Sequence, residues 1–226
     1  MSKTCETSLV TIDISVYMVV FVSIKKNEYV FIHITMLRYT LSENSWIEER
    51  SLSCDIDIDF DELWSMHPIE RPILTIFGVD RTTPRWYKSY GRDYKFSGSI
   101  SYSEPIPDIL EEMLNFANNL NLGAFNQILV NWYDNGHDNI GPHSDDERQL
   151  VKDSPIVSIS FGARRIFRIR KKASKEIALD LPVNNRTFLI MGGKMQSEFT
   201  HEVPKITGNK GLTVGRRINI TLRQFK

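Results

Sequence analysis

Residues 217–223 read Arg217-Ile218-Asn219-Ile220-Thr221-Leu222-Arg223. Their parity is strict: Ile218, Ile220 and Leu222 take one face, and Arg217, Asn219, Thr221 and Arg223 take the other, as on a strand whose side chains alternate. The polar row is either simply wet, as on many antiparallel strands, or built for a ligand. Two arginines about 20 Å apart along the strand can lean inward and clamp a short dicarboxylate at both ends, because guanidinium binds carboxylate bidentately. Asn131 and Tyr133 share a face of the apolar run Gln127 to Tyr133 and are placed to donate to the same ligand.

Working outward, the segments Gln127 to Tyr133, Ile156 to Phe161, Ile166 to Arg170, Glu176 to Leu181 and Thr187 to Met191 are short, rich in β-branched or aromatic residues, and separated by turn residues. So many short strands in succession predict a sandwich or double-sheet roll. One helix interrupts them. Pro105 to Leu120 opens with prolines and repeats apolar residues at Ile109, Leu110, Met113, Leu114, Ala117 and Leu120, before Asn121 and Gly123 end it,. Near the start, Val16 to Ile24 and Tyr29 to Met36 read as a hairpin turning through Lys25-Lys26-Asn27-Glu28,.

With 226 residues, the chain fits one domain or one domain with an elaborated edge,. It carries 28 basic and 28 acidic residues, which excludes a protein that binds polyanions through bulk charge but permits a local basic surface. The charge is unevenly placed. Glu43 to Glu70 holds nine acids against Arg50 alone, while Arg164 to Lys175 holds seven basic residues and no acid. The latter is either a solvated face or a rim that follows a phosphate backbone. Cys5 and Cys54 lie far apart, so neither a disulfide scaffold nor a cysteine zinc site is expected and a reducing intracellular compartment is favoured. The most apolar stretch, Val16 to Ile24, falls short of the ~20 residues of a spanning helix and has neither the basic flank nor the cleavage site of a signal peptide,.

Among the five histidines, His143 stands in the triplet His143-Ser144-Asp145. On extended chain, residues two apart point to one face, so His143 and Asp145 can ligate one metal. His201, before Glu202-Val203-Pro204, is the candidate third ligand. Two imidazoles and one carboxylate leave open positions on iron(II), the arrangement of non-haem oxygenases. The triplet alone is a weak signal.

Five stretches together carry more weight: Asn131 to Gly136 (NWYDNG), Ile140 to Arg148 (IGPHSDDER), Pro155 to Ala163 (PIVSISFGA), His201 to Pro204 (HEVP) and Arg217 to Arg223 (RINITLR). In order and spacing they resemble the AlkB family of iron(II)- and 2-oxoglutarate-dependent dioxygenases, over Ile73 to Lys226. The resemblance implies an α+β, mainly β fold: a double-stranded β-helix (jelly-roll) core over 125–226, flanking helices, and a nucleotide-recognition lid within 41–124, after an N-terminal extension of unknown role over 1–40. It implies Fe(2+), 2-oxoglutarate and O2 as cofactor and co-substrates. By motif position the metal and catalytic residues would be His143, Asp145 and His201. Asn131, Tyr133, Arg217, Thr221 and Arg223 would meet 2-oxoglutarate, with Arg217 on the distal carboxylate and Arg223 nearer the iron. Asp146 would meet the amino group of a target base. His137 is no ligand.

Upstream, Ile76-Phe77-Gly78, Pro84-Arg85, Tyr90-Gly91 and Tyr94 to Gly98 (YKFSG) resemble the members that act on duplex DNA. Phe77 would be the wedge that fills the gap left by a flipped base, Arg85 a backbone or opposite-strand contact, and Tyr94, Phe96 and Ser97 part of the base pocket. The loop Arg92-Asp93 is shorter than the family's. The implied activity is oxidative demethylation of N-alkylated bases such as 1-methyladenine and 3-methylcytosine in single- or double-stranded DNA, with release of formaldehyde. The chain is expected to act as a monomer, and in the nucleus if eukaryotic. The alternatives are the same chemistry on RNA or protein, or a non-catalytic nucleic-acid binding module.

Overall fold

The computed structural model describes residues 10–22, 29–52, 56, 58–76, 78–96 and 99–226. In chain order the strands and helices are β1 (Thr11–Val22), β2 (Tyr29–Ser42), β3 (Ser45–Ser51), α1 (Phe60–Ser65), β4 (Ile73–Ile76), β5 (Val79–Thr82), β6 (Trp86–Tyr90), β7 (Tyr94–Phe96) and β8 (Ser99–Ser101). There follow α2 (Asp108–Asn119), β9 (Gln127–Tyr133), β10 (Ile140–His143), β11 (Ile156–Gly162), β12 (Arg165–Lys171), β13 (Ile177–Val183), β14 (Thr187–Gly193), α3 (Met195–Glu198), β15 (Phe199–Val203), α4 (Asn209–Leu212) and β16 (Arg217–Arg223).

Every residue of β16 is buried, so its polar row is not a wet face. The strand lies inside an eight-stranded sheet ordered β1-β2-β3-β14-β11-β16-β9-β6, and a four-stranded sheet ordered β10-β15-β12-β13 faces it. The alternation read from the sequence divides two cores. Ile218, Ile220 and Leu222 join Ile128, Val130, Trp132, Val157 and Ile159 in a cluster with Leu110, Met113 and Ala117 of α2. On the opposite face, Tyr133, Leu189 and Met191 of the large sheet meet Phe167, Ile169, Leu181, Val183, Phe199 and Val203 of the small one. Full burial of such an aliphatic side chain is worth about 1.5–3 kcal/mol. The jelly-roll expectation therefore rests on two sheets packed over a shared apolar layer, with the site in that layer.

α2 begins at Asp108 because Pro105 and Pro107 stop it from starting earlier; Pro107 occupies the cap position and makes no side-chain cap bond,. α1 is capped by Asp59, whose carboxylate accepts from the Asp61 and Glu62 amides,. Trp132, fully buried in β9, donates its indole N–H to the Leu63 carbonyl at 2.9 Å and so ties α1 to the back of the sheet.

β1 and β2 pair antiparallel, from Thr11 opposite Thr40 to Val22 opposite Tyr29. The turn at Lys25 to Glu28 lies outside the described residues. Among the described residues, no helix is long and apolar enough to cross a membrane.

Candidate metal centre

The two candidate histidines meet by strand register. β10 pairs antiparallel with β15 and sets His143 directly opposite His201, which brings the imidazole centroids to 4.3 Å. His143 thus ends a strand and His201 lies within one. Gly141 and Pro142 interrupt the register between Ile140 and His143; proline has no N–H for the ladder. Two residues further on, Asp145 brings Oδ2 to 3.6 Å from His201 Nε2. One ligand atom from each of His143, Asp145 and His201 lies within 4.8 Å of the others.

The protonation states suit a cation. His143 Nδ1 lies 2.9 Å from the Gly141 carbonyl; donation there fixes the tautomer and leaves Nε2 as a lone pair. Burial, then the neighbouring His143, lowers the His201 pKa to about 3. Burial likewise lowers that of His143, against the attraction of Asp145. Both rings are therefore neutral near pH 7, the form that ligates metal. Burial alone would raise Asp145, but the Arg223 guanidinium and the two imidazoles outweigh it and hold the carboxyl at about 2. Phe167 stacks on His201 with centroids 5.1 Å apart. Together with Leu129, Ile140, Met191 and Val203 it gives the cleft an apolar wall.

Along β16 the two arginines are unequally engaged. Arg223 Nη2 donates to Asp145 Oδ1 at 2.5 Å and Nη1 to Gln127 Oε1 at 3.2 Å. Arg217 donates from Nη2 to Ser160 Oγ at 2.8 Å, whereas its Nε and Nη1 are buried with no acceptor in hydrogen-bond geometry. A buried guanidinium left so is costly unless an anion joins it. Between the arginines, Asn219 donates to Ser158 Oγ at 2.8 Å and accepts from Thr221 at 3.2 Å. Asn131 faces this row from β9, directly opposite Asn219. Neutral imidazoles, a carboxylate and an unmatched guanidinium fit a divalent cation beside a carboxylate-bearing ligand.

Comparison with known proteins bears on this donor set. Residues 66–223 match the 2OG-Fe(II) oxygenase superfamily. The chain belongs to that superfamily. Its members' name gives iron(II) and 2-oxoglutarate as the groups to be held. Among relatives, the chain is 33% identical over 160 residues to the human DNA oxidative demethylase ALKBH2, covering 66% of this chain and 60% of that one. It is 30% identical over 202 residues to the bovine protein of the same name, covering 79% and 71%. It is 36% identical over 151 residues to bovine alpha-ketoglutarate-dependent dioxygenase alkB homolog 3, covering 62% and 51%. Within the superfamily it is thus AlkB-like, and it spans about three-fifths of the human relative's length.

The residues expected at the substrate stand differently from one another. Tyr94 is buried in the cleft, with the Arg223 guanidinium 4.9 Å from its ring centroid. Phe77 and Ser97 lie outside the described residues, as does the side chain of Phe96. Arg85, expected as a backbone or opposite-strand contact, is buried and donates its Nε–H to Asn131 Oδ1 at 2.7 Å. It braces the cleft wall because β6 pairs with β9 and sets Tyr87 opposite Asn131.

Asp146 turns away from the cleft, its carboxylate 3.2 Å from Lys172 Nζ and 66% exposed. Glu147 turns toward it. Burial raises the Glu147 pKa, against the pull of Arg223, with Asp145 and Tyr94 close by. Strand alternation could not have found this residue, because Asp145 to Glu147 is irregular chain after β10,. Within strands the rule does find Gln127, in phase with Asn131 and Tyr133, and Ser158 and Ser160 on β11.

The basic stretch 164–175 is largely consumed by the fold. Arg165 is buried and donates to the carbonyls of Asn135, Asp138 and Pro204. Arg168 forms a two-point pair with Asp180, both contacts 2.7 Å, and Arg170 pairs with Glu202 at 2.7 Å. These contacts make it a cross-linked surface rather than a continuous phosphate track.

Proposed function

We propose that this chain is an Fe(II)- and 2-oxoglutarate-dependent dioxygenase that repairs N-alkylated bases in DNA, such as 1-methyladenine and 3-methylcytosine. One observation carries the reading: two neutral imidazoles and a carboxylate, within 4.8 Å of one another, share a cleft with a buried guanidinium that lacks acceptors for two of its N–H groups. The names of the relatives supply the substrate class.

When bound, the iron centre supplies the oxidising power: O2 and 2-oxoglutarate are converted to succinate and CO2, one oxygen atom enters the methyl group, and the carbon leaves as formaldehyde. The chain supplies position. His143, Asp145 and His201 hold the cation. Arg217, with free donors at Nε and Nη1, takes the distal carboxylate of 2-oxoglutarate, and Arg223 takes the end nearer Asp145. Asn131, Tyr133 and Thr221 complete the polar lining. Phe167, Leu129 and Met191 keep bulk water from the reacting atoms.

On the substrate side, Tyr94 walls the base pocket and Glu147 accepts from the exocyclic amino group, the role first given to Asp146. By the family resemblance Phe96 and Ser97 would contribute to base recognition, and Phe77 would fill the stack from which the base has swung. Extrusion costs a few kcal/mol of stacking, less for a base whose methyl group already blocks pairing, and an apolar wedge offsets part of it. Arg85 acts from within, by holding Asn131.

The test is formaldehyde release with iron and 2-oxoglutarate from the same methylated sequence as single-stranded DNA, duplex DNA and RNA, with a methylated peptide alongside. The reading expects release from DNA. Release from RNA or peptide alone would replace the substrate while keeping the chemistry.

A further inference from the structure

We propose that Gln196 is a positioning residue for the metal carboxylate, braced from outside by Lys172; this rests on the reading that His143, Asp145 and His201 hold a divalent cation. Asp145 is 1% exposed and lies in irregular chain after β10. It has no strand partner for its amide, and a buried N–H requires an acceptor. Gln196 Oε1 provides one at 2.9 Å. Gln196 belongs to α3, the turn of helix that leads into β15 and His201. One side chain therefore joins the segment carrying Asp145 to the segment carrying His201. The other end of its amide, Nε2, lies 3.7 Å from Met191 Sδ on the cleft wall, which orients the oxygen toward Asp145.

Lys172 holds this arrangement from behind. Its Nζ donates to the Gln196 carbonyl at 2.8 Å and to Asp146 Oδ2 at 3.2 Å, and its own amide donates to the Glu198 carbonyl at 2.9 Å. A lysine just past β12 thus grips both the residue after Asp145 and the residue that grips Asp145. Arg223 fixes the carboxylate end of Asp145 while Gln196 fixes its backbone, so the ligand is held at two points before any cation arrives. Partners of this kind orient metal ligands, and their loss costs roughly 10–100-fold in metal affinity.

The test is titration of the full chain with Co(II) alone, read by absorption of the bound ion. Gln196→Met keeps length and removes the acceptor; Gln196→Glu keeps the acceptor. We expect Gln196→Met to bind Co(II) roughly 10–100-fold more weakly, with shifted absorption bands, and Gln196→Glu to restore affinity and spectrum. Lys172→Met should weaken binding too, and the double variant no further than Gln196→Met, because both act through one brace. Wild-type affinity and spectrum in Gln196→Met, or equal losses in the Met and Glu variants, would overturn the brace. Should Gln196→Met fail to fold, Lys172→Met carries the test, and wild-type affinity in it is the overturning result. A wild-type chain that does not bind Co(II) would overturn the metal reading itself.

Discussion

Arg223 Nη2 and Asp145 Oδ1 form a 2.5 Å ion pair with both side chains buried, so the inner arginine of β16 is bonded to the candidate metal ligand through the protein alone. Removing one member of such a pair leaves an unmatched buried charge, which costs about 3–5 kcal/mol. Arg223→Met is expected to lose stability of that order in urea unfolding. A loss below about 1 kcal/mol would mean that the pair does little for the fold.

Arg217 should behave differently. Its guanidinium is buried with one hydrogen bond, to Ser160, and with Tyr133 rather than a carboxylate beside it, so Arg217→Met should cost less stability than Arg223→Met does. Affinity for 2-oxoglutarate, read by calorimetry with a redox-inert divalent metal, should fall by about 30-fold or more, the lower end for truncating one partner of a buried charge pair. Intact co-substrate affinity would place the distal carboxylate elsewhere.

Glu147 and Asp146 separate two readings of one acidic run. Glu147→Gln should lower kcat/KM on a methylated oligonucleotide by about tenfold or more, the worth of one charge-assisted hydrogen bond. Asp146→Asn, whose carboxylate faces Lys172 outside the cleft, should change it little. The reverse order would restore Asp146 to the base.

Alkali should destabilise the fold through its tyrosines. Burial first, then Glu104, raises the Tyr90 pKa to about 12 from 10.0, and burial raises Tyr87 and Tyr94 as well. Above pH 10 the unfolded chain loses these protons before the folded one does, so stability is full below about pH 10 and falls as pH climbs toward 12. Tyr90 alone accounts for something on the order of 2–3 kcal/mol. Urea midpoints measured at pH 8, 10 and 11.5 check this, and a flat profile would contradict it.

What the sequence made legible was set by periodicity. Strict alternation in β16 gave both its faces, and β9 and β16 have the bounds their residues suggested, Gln127–Tyr133 and Arg217–Arg223. Short strands with mixed patterns were missed: β10 contains Gly141 and Pro142, and β15 begins directly after a helical turn. The fate of the charges at 164–175 was hidden for a different reason. Their partners Asp180 and Glu202 are distant in sequence and meet them only through the β12–β13 and β12–β15 registers. The direction of Arg85 was hidden likewise, since a local motif does not reveal that the side chain turns in toward Asn131.

The most direct measurement is formaldehyde and succinate production from a methylated oligonucleotide with iron and 2-oxoglutarate, for the wild-type chain and for His143→Ala and Asp145→Ala. The account predicts that wild type yields the two products in equal amounts per methyl group removed, and that both variants yield neither, His143→Ala with its stability kept and Asp145→Ala with part of its stability lost to the unmatched Arg223,. Methyl removal at the wild-type rate in either variant would contradict it.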